Sequence, residues 1–210
     1  MNVKARITLT LAIGACLCAS CQQSAIPSPA SPTPTKVATA TPQLDPEIEE
    51  YAVYAAILKG TFVREDTKQV LIMDHTRTQE PGLMEDFLAD FQEKTPLAPE
   101  LVTNFMERNQ QSHPLEPILD LEVEYQLLTQ EEVDELRLLD EASGWKLFYD
   151  KYPDTVGFIH LSRVGFNADL SQALVSIAHY HYQQPLLGGY YLMTRQDGRW
   201  VIESGLEWIT

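Results

Sequence analysis

The chain has 210 residues and a mass of 23.7 kDa, room for one domain with extensions but not for two full domains. Its 15 basic and 30 acidic residues give a formal net charge of -15, which argues against a nucleic-acid partner, because binding phosphates needs a basic face. All 3 cysteines fall between Cys16 and Cys21, so the rest of the chain holds no disulfide framework, cysteine zinc site or thiol nucleophile.

Residues 1–20 read as an export signal. Lys4 and Arg6 precede an apolar run from Ile7 to Ala19, followed by Ser20 and Cys21. The run is too short to span a bilayer as a stable helix. A cysteine after small residues resembles the lipobox of bacterial lipoproteins. That resemblance implies a lipidated, palmitate-bearing cysteine as the mature N-terminus and a membrane anchor. Cys21 is the first choice, because the apolar run before it has a normal length. Its flaw is Cys18, where that motif usually has leucine. Cys16 follows Ile13-Gly14-Ala15, a good local match, but leaves a very short apolar run. The plainer alternative is a cleaved signal without lipid. Gln22 and Gln23 after Cys21 resemble outer-surface sorting more than inner-membrane retention.

Residues 21–46 are dominated by Pro, Ser, Thr and Ala. Such a segment cannot bury enough surface to offset its ordering entropy, so it reads as a disordered, extended tether. A single domain is expected over 47–210.

Asp45-Pro46 is an N-cap followed by proline, and Glu47, Glu49 and Glu50 suit the first helical turn. The helix is expected to stop at Gly60. A strand pair is then expected at Thr61–Glu65 and Gln69–Asp74. Helices follow from Pro81 and from Pro99. Residues 119–128 alternate strictly and predict a half-buried strand. Thr129 with Glu132 has capping-box spacing, and a further helix runs from Glu141 to Tyr152. Four strands are expected at 157–167, 173–182, 189–195 and 199–209, the last two joined by a hairpin at Gln196-Asp197-Gly198. The fold class is α+β, with N-terminal helices packed on a curved, mostly antiparallel C-terminal sheet.

The order Tyr152-Pro153, Gly157, LSRVGFN at 161–167, QALV at 172–175, GGYYLM at 188–193 and DGRW at 197–200 resembles a family of uncharacterised bacterial proteins. The resemblance covers about the last third of the chain and brings no activity with it.

Three residues stand out as a ligand-binding or structural polar cluster: Arg163, His160 and His179. Ile159 and Leu161 share one strand parity, whereas Val164 and Phe166 share the other, so a bulge or sharp twist is expected near Ser162-Arg163. That makes Arg163 an interesting exposed charge. The structural alternative pairs it with an acid such as Asp154 or Asp169. His179 and His181 share a strand face and could meet a metal if His160 supplied a third ligand, but no supporting spacing accompanies them, so no metal, cofactor or catalytic residue is assigned. The aromatic residues Tyr180, Tyr182, Tyr190, Tyr191, Trp200 and Trp208 read as core first and pocket lining second.

The expected function is that of a cell-envelope lipoprotein with a non-catalytic binding or interaction domain on the extracytoplasmic side. Its partners are the membrane, through the lipid, and an envelope protein. The alternative is an envelope hydrolase with a site near Arg163.

Overall fold

The computed structural model describes residues 44–78, 81–182 and 187–209. The signal, Cys16, Cys21 and almost all of the tether lie outside the described residues. The chain divides between Thr41 and Pro42 into two units, and every described element belongs to the second.

The elements are α1 (Pro46–Thr61), β1 (Gln69–Met73), α2 (Pro81–Lys94), α3 (Pro99–Arg108), β2 (Glu124–Leu128), α4 (Gln130–Arg137), α5 (Glu141–Lys151), β3 (Phe158–Leu161), β4 (Gly165–Phe166), β5 (Gln172–Tyr180), β6 (Leu187–Gln196) and β7 (Arg199–Ile209). The class is α+β. One mixed, open sheet runs in the order β2-β1-β3-β5-β6-β7, and β4 also pairs with β5. β1 pairs with β2 and with β3 in parallel, and the C-terminal pairings are antiparallel.

Side chains alternate between the two sheet faces, and each face has its own cover. Val53, Tyr54, Ile57 and Leu58 of α1 pack on Val70, Ile72, Ile159, Leu161, Val175 and Ile177. On the other face, Leu88 and Phe91 of α2 and Leu101 and Phe105 of α3 meet Leu174, Tyr190 and Leu192. Beside them, Val133 of α4 and Phe148 of α5 cover Leu71, Met73 and Phe158.

The local signals explain most of these elements. The Asp45 side chain accepts from Glu47 N–H and starts α1. Thr129 and Glu132 form a reciprocal capping box on α4. The β6–β7 turn places Asp197 at φ 50° and Gly198 at φ 79°, the left-handed pair that a tight hairpin requires.

Four expectations need correction. Thr61–Glu65 is not a strand. Gly60 does not end α1, which continues through Thr61 to its cap at Phe62; β1 therefore has no hairpin partner and takes two parallel neighbours instead. Of the alternating stretch 119–128, only Glu124–Leu128 is strand, because β1, its one partner, offers just the five ladder positions Gln69–Met73. Leu119 is buried and Leu121 and Val123 pack against the α1-side core, so the alternation reflects burial without a ladder. Residues 157–167 form two short strands rather than one, β3 and β4 lying end to end along β5. The break falls at Ser162–Val164, and across it Ile159, Leu161, Val164 and Phe166 all keep to the α1 side.

Candidate functional site

The break between β3 and β4 strips Arg163 and Val164 of ladder partners, while Ser162 N–H still donates to Ser176 C=O at 2.9 Å, and side chains from elsewhere serve the two. Asn109, the C-cap of α3, accepts from Arg163 N–H at 2.9 Å and donates to Arg163 C=O at 3.0 Å. Glu50 Oε1 accepts from Val164 N–H at 2.8 Å. Ser162 Oγ accepts from Ser176 N–H at 2.8 Å. The Tyr54 hydroxyl lies 2.8 Å from Ser162 C=O and 2.9 Å from Glu50 Oε1, and donates to one at a time.

Arg163 is therefore not an exposed charge: its side chain is only 12% exposed. Its partners are neither Asp154, which pairs with Lys68, nor Asp169, which accepts from Ser171. Its guanidinium instead holds Glu50 at 2.8 Å and Glu47 at 2.7 Å. Arg108 of α3 joins the same two carboxylates at 2.8 and 2.9 Å. Burial works against the Arg163 charge, but Glu50 and Glu47 outweigh it and raise its pKa above the ordinary value. Burial and the nearby Glu50 push the Tyr54 phenol well up, so it stays protonated.

His160 lies elsewhere. In the β3–β5 register Ile159 opposes His179 and His160 opposes Ala178, so the two histidines point to opposite faces. His179 stacks on His181 with ring centroids 4.7 Å apart and packs edge-on against Phe62 at 5.2 Å. It lines a pocket of only about 110 Å³. Burial lowers its pKa to about 4, with His181 contributing. His160 on the far face cannot complete a metal site with this pair. Arg163, His160 and His179 are thus three separate environments, not one cluster.

His160 opens onto a cleft of about 500 Å³ between α4 and the sheet, where β1 and β2 end. The chain after β1 is pinned on two sides. Thr76 N–H donates to His113 C=O at 2.8 Å, and Arg77 N–H donates to Leu161 C=O at 2.8 Å. This locates His75 and Arg77 beside His160, and α4 brings Arg137. His75 Nδ1 lies 2.6 Å from Asp74 Oδ1, and its ring meets that of His160 edge-on at 5.0 Å. Phe158 stacks on Tyr180 at 4.9 Å and forms an aromatic wall.

No carboxylate is among the described lining residues of this cleft, although the protein is strongly acidic. Two buried nitrogens in the lining, Arg77 Nη1 and His160 Nε2, have no hydrogen-bond partner among the described residues. Burial, then His75, Arg77 and Arg137 nearby, push His160 down to about 3, so its ring is neutral at neutral pH. Two lining hydroxyls are already engaged: Ser112 donates to Thr76 C=O at 2.6 Å, and the Thr76 hydroxyl accepts from His113 N–H at 2.9 Å. The arrangement suits holding a ligand better than attacking one.

A second, larger groove of about 1160 Å³ runs along the outer side of α1. Exposed Ile48 and Ile118 line it, together with Tyr51 and Trp200. Its charges at Glu49 and Arg195 pair with each other at 3.0 Å, and Glu49 also accepts from Trp200 Nε1 at 2.7 Å.

Sequence reasoning found His160 but not its cleft companions, and Arg163 but not Glu50, Arg108 or Asn109. Asn109 and Glu50 sit 54 and 113 residues from Arg163 in the chain, and no spacing announces them. A signal for His75 and Arg77 did exist. They closely follow the apolar run QVLIM, and ligands gather beyond the carboxyl ends of parallel strands. It became readable only once β1 was known to be parallel to its neighbours. Comparison with known proteins gave no matching family model, no matching curated protein and no matching solved structure.

Proposed function

We propose that the chain is an extracytoplasmic lipoprotein of the cell envelope, held to its membrane through a lipid on Cys21, with Cys16 as second choice. Its domain acts by binding a ligand in the α4 cleft rather than by catalysis. One observation carries the binding reading: among the described residues the cleft leaves Arg77 Nη1 and His160 Nε2 buried and unpartnered. Such groups cost about 1–3 kcal/mol each when unsatisfied, so a fold that keeps them calls for a reason. The hydrolase alternative needs Arg163, His160 and His179 to converge, and their separation weighs against it. The exposed Ile48 and Ile118 beside α1 support an envelope protein partner as a second form of binding.

The anchor is supported by the basic start, the apolar run and the cysteine after Ala19-Ser20. No helix among the described residues is long and apolar enough to cross a membrane. The test is metabolic labelling with a palmitate analogue, followed by fractionation. The native chain is expected in the membrane fraction with label, and Cys21→Ser is expected unlabelled and released. If Cys21→Ser and Cys16→Ser both left labelling and fractionation unchanged, the anchor would be abandoned.

A further inference from the structure

We infer that the α4 cleft binds a small phosphate monoester, with its phosphate among Arg77, Arg137, His75 and His160 and its apolar body against Phe158 and Tyr180. This rests on the reading of the cleft as a binding site and names what it takes.

Charge points to an anion. The domain from Glu47 onward carries 12 basic and 29 acidic residues, a net charge of -17. In such a molecule a surface taken at random is acidic. The cleft instead gathers two guanidiniums, Arg77 and Arg137, beside the neutral His160, with no carboxylate among its described lining residues. Among the described residues, two acids pair with these lining groups. Asp74 pairs with His75 Nδ1, and Asp134 lies 3.8 Å from Arg137 in an exposed and therefore weak pair. A concentration of positive charge against the sign of the whole molecule is a local field that selects anions.

Hydrogen-bonding capacity narrows the anion. Among the described residues, Arg77 Nη1 is a donor without an acceptor, and His160 Nε2 is equally without a partner. An oxyanion satisfies Arg77 Nη1, since phosphate oxygens accept from guanidinium, and it meets His160 Nε2 when that nitrogen carries the single proton of the neutral ring. The two guanidiniums supply two positive charges. A phosphate monoester, at about -1.5 to -2 near neutral pH, balances them, whereas a single carboxylate leaves one uncompensated.

Size sets the rest of the ligand. A cleft of about 500 Å³ falls in the range of pockets that enclose whole small molecules, so the headgroup does not fill it. The remaining lining includes Met73, Val133, Phe158 and Tyr180, an apolar and aromatic surface for the rest of the ligand. Polyanions are excluded by the acidic surroundings, which repel any chain of phosphates too long to fit inside.

The test is calorimetric titration of the full-length chain with phenyl phosphate, inorganic phosphate, phenylacetate and benzyl alcohol. Phenyl phosphate is expected to bind at one site, at least tenfold tighter than inorganic phosphate or phenylacetate, with benzyl alcohol silent. Arg77→Gln is expected to weaken phenyl phosphate at least tenfold. Because Arg77 Nη1 has no partner among the described residues, this variant is expected to unfold at the same denaturant concentration as the native chain or a higher one. Arg199→Gln, on the α1 groove, is expected to bind like the native chain. Silence from every anion, or equal weakening by Arg77→Gln and Arg199→Gln, would overturn the site. Equal or tighter binding of phenylacetate or benzyl alcohol would overturn the phosphate while leaving the cleft a binding site. The lipid anchor is decided separately by the Cys21 fractionation.

Discussion

Glu50 is the residue on which the most structure converges. It is 2% exposed and accepts from Arg163, Arg108 and Val164 N–H, with Tyr54 in reach of the same oxygen as the amide. From the sequence it is one of three first-turn acids suited to the helix dipole, a role worth under about 1 kcal/mol at a surface. Its real part depends on arginines 58 and 113 residues further along the chain, which no local pattern encodes. Arg163 is legible for the opposite reason. The parity change between Ile159-Leu161 and Val164-Phe166 is local, so the break in the strand can be read even though its partners cannot. Removing the charge at Glu50 leaves two guanidiniums facing a neutral amide in a nearly closed site. Breaking a buried pair in this way costs about 3–5 kcal/mol. Glu50→Gln is therefore expected to lower unfolding free energy by about 3 kcal/mol in urea titration. Glu47→Gln, at a carboxylate 56% exposed, is expected to cost under about 1 kcal/mol. Equal costs for the two would show that burial of Glu50 is not what gives the network its strength.

Among the elements, the interrupted strand β3–β4 depends on α3 for its completion. Gly165 lets the helix lie directly on β4: a Cβ there would stand 2.5 Å from Phe105 Cα. One turn further along α3, Asn109 is fully buried and supplies the bonds that β5 cannot give to Arg163. The carbonyl of Arg163 has a second donor in Ser162 Oγ, whereas its N–H relies on Asn109 Oδ1. Asn109→Ala is thus expected to orphan one buried amide and cost about 1–3 kcal/mol. Native-state hydrogen exchange provides the local check. The Arg163 amide is expected to lose protection in the variant while Leu174, inside the β5–β6 ladder, keeps it. Unchanged exchange at Arg163 would remove Asn109 from this role. Elements announced by adjacent residues, such as the α4 capping box and the Asp197-Gly198 turn, are readable in the sequence. The parallel trio β2-β1-β3 is not, because its pairings are set by helical crossovers between strands rather than by short turns.

For the whole molecule, acidity has two opposing effects, and their order decides the response to pH. The net charge of -17 on the domain repels itself, and protonating carboxylates would relieve that strain. Ordinary carboxylates titrate near pH 4, however, so little relief comes above about pH 5. The histidines act first. His160 is held at about 3 by burial and by His75, Arg77 and Arg137, and His179 is held at about 4 by burial and by His181. Unfolding returns both to about 6.5. Between about pH 6.5 and 4 the unfolded chain therefore binds more protons than the folded one, and stability rises with pH across that window. The contribution is fully present above about pH 6.5 and is lost as pH falls toward 4 and 3. Glu132, lowered from 4.5 to about 2 chiefly by Lys151, adds loss in the same direction below pH 4.5. Urea midpoints are expected to fall between about pH 7.5 and 5, as the two histidines together remove on the order of 4 kcal/mol of unfolding free energy. Paired substitution of His160→Gln and His179→Gln is expected to flatten that dependence. A midpoint that rises on acidification over the same interval would mean that charge relief outweighs histidine desolvation in this domain.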